Sequence, residues 1–405
     1  MRLFKMNLLT QILIAFVTAI ILGLIFGQSI EVIKPLGDLF LRLIKFIIAP
    51  LVLATLVIGV ASIGDPKSLG RVGTKTIGYY LITTAVAIVI GLGTAFIVSP
   101  GKGLSIEVQE KEVEVNETEG VIQTFLNIVP ENPFLALTEG NILQIIFFAI
   151  FVGLAITLVG EKAGPVYRFF DGFAEVMFRI TGIVMRFAPI GILGLVAPII
   201  GQYGTQVLLP LLKIIIAVGI ACLLHAIAVY SVSVKIFAKM SPLTFFKGIT
   251  PAAVVAFSTA SSAGTLPVTI KNTQENLGVS NKISSFVLPL GATINMDGTA
   301  IYQGVAVLFI AQFYNLELSF MQIVTVVITT VLASIGTAGV PGAGMIMLAM
   351  VLGAIGLPLE GIAVIAGIDR ILDMFRTTVN IVGDASAAVV VAGTEGEIDR
   401  KAFEK

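Results

Sequence analysis

Apolar residues run through this chain in blocks long enough to cross a bilayer, with polar positions gathered between the blocks instead of alternating within them. Stretches of few or no charges lie at 7–27 and at roughly 46–63, 77–99, 141–159, 180–200 and 214–234, each close to the about 20 residues a helix needs to traverse hydrocarbon. The first has no small-residue cleavage site behind a short core, so it reads as a retained helix and not as a leader. Beyond it the pattern changes. Between Lys239 and Lys271 two short apolar arms meet at the small polar cluster Ser258 to Thr265, and between Phe320 and Leu357 arms of about 14 and 13 residues flank SIGTAGVPGAG. No such arm can span alone. Glycine-rich backbone at membrane depth is tolerated only inside protein or along a watery cavity, so the pattern predicts two re-entrant helical hairpins.

The flanks of the first hairpin are basic and those of the second, Glu317 and Glu360, are acidic, which predicts entry from opposite sides of the membrane. Each hairpin is followed by a long apolar helix with a related polar signature, Asn295-Met296-Asp297-Gly298 in one and Asn380 to Asp384 in the other. Broken segments in corresponding halves mark an inverted repeat, and the half-helix ends they expose hold ions and charged solutes. The expected fold class is an all-α polytopic membrane protein with eight transmembrane helices and two re-entrant hairpins.

Composition agrees. With 57% hydrophobic and 12% charged residues over 405 positions, and a mean hydropathy of +1.02, the chain cannot bury its apolar surface as a soluble domain. A formal net charge of zero offers nothing to nucleic acid, and the single Cys222 can form no internal disulfide. Basic residues at Arg2, Lys5, Lys67, Arg71, Lys75, Lys162, Arg168, Lys235 and Lys239 place those segments, and both termini, in the cytoplasm of a cell whose plasma membrane the protein spans several times. Lys34, Arg42 and Lys45 run against that orientation. The loop IEVQEKEVEVNETEG, with six glutamates and one lysine, belongs outside and contains the sequon Asn116-Glu117-Thr118.

The last helical stretch carries the chemistry. Asp369, Asp373, Arg376, Asn380 and Asp384 follow one another at steps of four, three, four and four, which puts all five on one helix face. Each intramembrane charge costs at least about 2.5 kcal/mol on the insertion scale, so the stripe must face a cavity, a partner or other charges. A buried ion-pair network that only locks helices together is the plain alternative. Asp297, Asp369, Asp373 and Asp384 against Arg370 and Arg376 sum to a formal minus two, which calls for cations. Hard oxygen ligands without a Cys or His cluster suit an alkali ion better than zinc. Arg376 offers a planar fork for a carboxylate and Asp373 a partner for an ammonium, so the ligand that satisfies both is an acidic amino acid. Its own negative charge then demands more than one monovalent cation.

At these residues the chain resembles the glutamate transporter family of dicarboxylate and amino-acid:cation symporters, through YYLITTA, SSAGTLP, NMDGT, GTAGVPGAG and DRILDMFRTTVNIVGD. The resemblance implies a homotrimer working as an elevator with sodium as co-transported ligand, no cofactor, no enzymatic activity and no nucleic-acid partner. It implies a scaffold at 1–76 (spans one and two) and 106–206 (outer loop, spans four and five). The mobile transport domain would be 77–105 (span three) and 207–405, with span six, a hairpin at about 242–270, span seven at about 281–314, a hairpin at about 320–357 and span eight at about 361–393. Substrate contacts carried over from the family are Ser261, Ser262, Thr299, Val340, Gly344, Asp373, Arg376, Thr377 and Asn380. For sodium it implies one site of Gly291, Asn295, Asn380 and Asp384, a second of Tyr80, Thr83, Thr84, Asn295 and Asp297, and a third of Thr293, Ser334, Ile335 and Thr337.

Many prokaryotic members carry an arginine at the first hairpin tip where this chain has Ala260, whereas Arg370 adds a basic residue to the last helix. The NMDGT wording resembles sodium-coupled members, Asp373 argues for a substrate with an amino group, and Arg376 argues against the neutral amino-acid branch. Three other readings stay open at this point. Asp297 or Asp384 could bind a proton in place of sodium, two membrane aspartates could form a protease dyad, and the domain interfaces could conduct ions as a channel. His225 reads as hydrogen-bonded between helices, with a proton relay as the alternative.

Overall fold

The computed structural model describes residues 8–62, 66–102, 126, 128–335 and 343–402. The acidic loop with its sequon, Thr337 and Val340 lie outside them, as does the apex of the second predicted hairpin. Among the described residues the secondary structure is helical throughout, apart from one antiparallel bridge between Val279 and Ile398. Six continuous helical segments there are long and apolar enough to cross a membrane. The protein is therefore an all-helical, multi-pass membrane protein.

The first helices are α1 (Leu8–Phe26), α2 (Lys34–Ser62), α3 (Pro66–Val98), α4 (Pro133–Glu139), α5 (Ile142–Val159), α6 (Gly164–Met185) and α7 (Ala188–Tyr203). The predicted span 180–200 is interrupted: α6 ends at Met185 and α7 begins at Ala188, with Pro189 in the first turn of the second helix, where its missing N–H costs nothing. α1 lies along α7, and α2 packs against α5, α6 and α7.

The remaining helices are α8 (Leu208–His225), α9 (Ser231–Phe237), α10 (Pro242–Thr259), α11 (Ser262–Glu275), α12 (Asn281–Ile294), α13 (Asp297–Phe313), α14 (Phe320–Ser334), α15 (Ala343–Ala354), α16 (Gly361–Ala366) and α17 (Asp369–Glu395). Their starts are written locally. Ser241, Ser261 and Ser280 cap α10, α11 and α12 by accepting backbone N–H groups, and Ser319 with Gln322 forms a reciprocal capping box on α14. α10 and α11 pack on each other, as do α14 and α15. Ala260 joins the first pair in the left-handed region, at φ 50° and ψ 44°.

Three interruptions depart from the simple apolar-run reading. The stretch expected as one helix over 281–314 breaks at Asn295 and Met296, and the one expected over 361–393 is parted at Gly367 and Ile368. Gly367 sits so close to the Phe16 ring of α1 that a Cβ there would overlap it. The stretch expected over 214–234 contains a π turn, Ala226–Tyr230, between α8 and α9. Such turns add one residue to the helix and redirect the side chains around it.

α17 occupies the middle of this second group, in contact with α3, α8 and α10 through α13. Of the apolar 18-residue stretch within Asn281–Phe313, 94% is buried inside the protein, and of that within Asp369–Glu395 83%, against 28% of that within Leu143–Met185. The polar stripes therefore face protein and not lipid. At one end α17 is clasped to α3: Arg71 Nη2 and Nε reach Glu395 Oε2 at 2.6 and 3.1 Å, and Lys75 Nζ reaches Oε1 at 2.6 Å. Beyond it, Asp399 N–H donates to Gly278 O at 2.7 Å, tying the chain to the turn between α11 and α12.

Candidate functional site

Asp297 opens α13 and is fully buried. Four donors surround its carboxylate. Thr84 and Thr83 of α3 donate to Oδ1 at 2.7 and 3.2 Å, Tyr230 donates to Oδ2 at 2.8 Å, and His225 Nε2 lies 3.2 Å from Oδ2. The π turn brings His225 and Tyr230, five positions apart, to the same oxygen. His225 is thus hydrogen-bonded between helices, its plainer sequence reading. Tyr230 was not foreseen; an aromatic in an apolar run gives no sign that its hydroxyl has a partner. Three of the four donors are rotatable hydroxyls, whose lone pairs can turn to a cation.

A second carboxylate lies beyond Asn295. Asp384 Oδ1 accepts from Asn295 Nδ2 at 2.9 Å, and the same amide nitrogen donates to Asn380 O at 3.0 Å. Asn380 Oδ1 in turn accepts the Gly298 N–H at 2.8 Å. The break between α12 and α13 exposes backbone groups, and side chains of α17 and the break itself satisfy them. Asn295 Oδ1 is buried with no hydrogen-bond partner among the described residues. Gly291 approaches so closely that a Cβ there would overlap the Asp384 carboxylate and the Tyr80 hydroxyl. Tyr80, itself fully buried, donates to Val287 O at 3.0 Å. Among the described residues neither Asp297 nor Asp384 is paired with an arginine or lysine. An orphaned amide oxygen beside the uncompensated carboxylate of Asp384 fits an alkali cation.

The other charges of the stripe compensate one another. Arg376, 1% exposed, donates from Nη1 and Nη2 to the two oxygens of Asp369 at 2.8 and 3.3 Å, and from Nε to Asp373 Oδ1 at 2.9 Å. The Tyr302 ring centroid lies 4.4 Å from its Cζ, a cation–π contact. A Cβ at Gly344, at the start of α15, would overlap the same guanidinium. Thr377 donates weakly to Asp373 Oδ1 at 3.4 Å. Arg370 Nη1 is 3.8 Å from Asp373 Oδ2. Asp369, Arg370, Asp373 and Arg376 therefore sum to zero, and the formal minus two read from the sequence resides on Asp297 and Asp384. Asp369 was visible in the spacing, but its hold on Arg376 was not.

The structure brings most of the expected residues together around α17. Thr299 accepts from Asn380 Nδ2 at 3.4 Å, and Ser262 is buried at the start of α11 behind the cap Ser261. Three residues of the expected third ion site are described. Thr293 is exposed with its hydroxyl on Leu290 O, and Ser334 donates to Val331 O. Ile335 follows Ser334 at the end of α14, and Thr337 lies outside the described residues.

Charged groups enclosed by protein at the centre of a helical membrane bundle, on helices broken beside them, define a polytopic membrane transport protein. The profile of the sodium:dicarboxylate symporter family matches residues 8–394. The chain belongs to that family. It is 41% identical to the proton/sodium-glutamate symport protein of Geobacillus stearothermophilus, over 98% of this chain and 96% of that one. It is 38% identical to the proton/glutamate-aspartate symporter of Escherichia coli strain K12, over 99% and 96%. The C4-dicarboxylate transport protein of Bacillus subtilis strain 168 is 36% identical, over 98% and 96%. Family members are symporters and not enzymes, so the aspartyl protease reading falls, and the sodium of the family name is a co-transported ion.

Proposed function

We propose that the protein is a secondary active symporter that imports L-aspartate or L-glutamate together with sodium across the plasma membrane. The observation that carries the sodium reading is the pair of uncompensated buried carboxylates, Asp297 and Asp384, with the orphaned Asn295 Oδ1 beside Asp384. Hydroxyls of Thr83 and Thr84 rotate to share an ion with Asp297, and Asn295, Asn380 and the Gly291 backbone share one with Asp384. Arg376 takes the side-chain carboxylate of the substrate and Asp373 its ammonium. In the state described here Asp369 occupies the fork of Arg376, so the incoming carboxylate displaces or shares that partner. Thr299, Thr377, Asn380, the Ser261–Ser262 tip and the Val340–Gly344 backbone complete the pocket.

The same proposal takes α10–α11 and α14–α15 as re-entrant hairpins among eight transmembrane helices, with both termini cytoplasmic. It takes α1, α2 and α5 to α7 as the scaffold of a homotrimer, and α3 with α8 to α17 as a transport domain that moves as an elevator. Packing that is denser within each group than between them, where α2, α5 and α7 meet α14 to α16, supports this reading. Proton coupling is the second reading, favoured by the contact of His225 Nε2 with Asp297 Oδ2 and by relatives named for both ions. Uptake of radiolabelled aspartate and glutamate into proteoliposomes separates the two. Accumulation driven by an inward sodium gradient at equal pH is expected; accumulation on a proton gradient in sodium-free buffer would overturn the sodium reading.

A further inference from the structure

We propose that the exposed face of α2 docks the phosphate of an anionic phospholipid on Arg42 and Lys45. Both residues are exposed, and both lie inside the membrane-length stretch Thr10–Ala61. At about 1.5 Å per residue they sit roughly 12 and 16 Å along α2 from Lys34, and their i,i+3 spacing makes them neighbours on one helix face. Neither makes a hydrogen bond or an ion pair among the described residues. They run against the charge rule that most basic residues of the chain obey, and neither the ion sites nor the substrate pocket uses them. An unpaired cation at membrane depth is costly, so it must meet an anion or reach the surface.

The protein does not supply that anion. The helices α5, α7 and α15 pack on α2 and contain no acidic residue. Gly194 lies against Gly37 and Gly191 against the Phe40 ring, an antiparallel register that carries Lys45 to the level of Arg186. There α6 ends on a further exposed cation, Arg186. The acidic residues of α6, Asp171 and Glu175, lie roughly 16 Å or more further along that helix. Asp38, one turn before Arg42, makes no ion pair with it and lines the cavity between α2, α7, α13 and α16. Arg42, Lys45 and Arg186 against Asp38 leave a formal plus two. A second copy of the chain meeting this face would bring no described acid of the scaffold helices to that depth. The membrane fits better. Leu39 and Phe46, 52% and 63% exposed, flank the pair on α2, and exposed Ile183, Phe187 and Ile190 surround Arg186. The long stems of Arg42 and Lys45 run along such apolar surface and lift their charged heads toward the headgroup layer. A phosphodiester there takes two N–H groups of the guanidinium fork and the neighbouring ammonium, while the acyl chains cover Leu39 and Phe46. The surplus of positive charge selects a headgroup that is negative overall.

The test is a lipid titration of the purified full-length protein in neutral detergent, comparing phosphatidylglycerol with phosphatidylcholine of the same acyl chains. Bound lipid is read by native mass spectrometry and stability by thermal unfolding. The wild type is expected to bind phosphatidylglycerol at least about tenfold more tightly, the worth of one charge-assisted contact, and to melt higher with it. The double variant Arg42→Gln/Lys45→Gln is expected to lose that preference and to keep the melting temperature of the wild type in detergent alone. Equal binding of the two lipids by the wild type overturns the proposal without any variant, and so does a double variant that keeps the preference. A double variant that falls to a smaller assembly by light scattering in detergent alone marks the face as a contact between copies, and overturns the lipid assignment. If the double variant does not fold, each single substitution carries the same comparison. The acidic amino-acid reading stands or falls separately, because none of these residues belongs to its sites.

Discussion

Asp297 answers a question that any carboxylate inside a membrane poses, namely what replaces water around it. Here two threonines, a tyrosine and a histidine do so. Arg376 is solvated differently, by two internal carboxylates, and that arrangement makes a residue-scale prediction. Arg376→Cys leaves Asp369 and Asp373 buried without their cation, a loss of about 3–5 kcal/mol in stability. Uptake of aspartate and glutamate by this variant is expected to vanish. Pairing it with Asp369→Leu removes one orphaned charge and is expected to recover much of the thermal stability without recovering acidic uptake. Thermal unfolding and uptake measured on the single and double variants separate the two effects, and undiminished aspartate uptake in Arg376→Cys would contradict the role given to the fork.

Elements decide where those residues meet, and at this scale the sequence was legible in part. Spacing along 369–384 foretold a single charged helix face because the α-helical period is rigid, and α17 has that face. Continuous apolar runs over 214–234 and 281–314 gave no hint of the π turn or the break at Asn295 and Met296, because hydrophobicity registers burial and not backbone hydrogen bonding. Only the amide and the carboxylate inside the second run hinted that something there had to be satisfied. The partners of Arg376 and Asp297 were hidden for another reason: side-chain pairing across helices depends on rotation and approach that periodicity does not contain. Ala260 makes a prediction of its own. A residue with a Cβ is disfavoured in the left-handed region it occupies, so Ala260→Gly is expected to raise stability by up to about 1 kcal/mol, read as a higher melting temperature, while the β-branched Ala260→Val lowers it.

Across the whole molecule, α2 and α7 face α13 and α16 over a cavity of about 460 Å³ lined by Glu31, Lys34, Asp38, Tyr203, Tyr314 and Glu360. In the elevator reading this seam is where one body slides past the other. A cysteine pair at Asp38 and Tyr314, joined by a bifunctional thiol reagent, is expected to abolish uptake and to preserve sodium-dependent binding; Cys222, buried in α8, can stay in place. Uptake at the full rate after complete cross-linking would speak against sliding at this seam. The clasp of Arg71 and Lys75 on Glu395 joins α3 to α17, so both walls of the Asp297 and Asp384 sites travel together in such a motion. Those two unbalanced carboxylates leave the membrane-embedded sites of the empty carrier with a net negative charge. A cell interior held negative pushes an anion outward, by about 2.3 kcal/mol per charge for each 100 mV, so membrane voltage would drive the return of the unloaded protein, and depolarisation would slow turnover by delaying that reset even with substrate and salt in plenty.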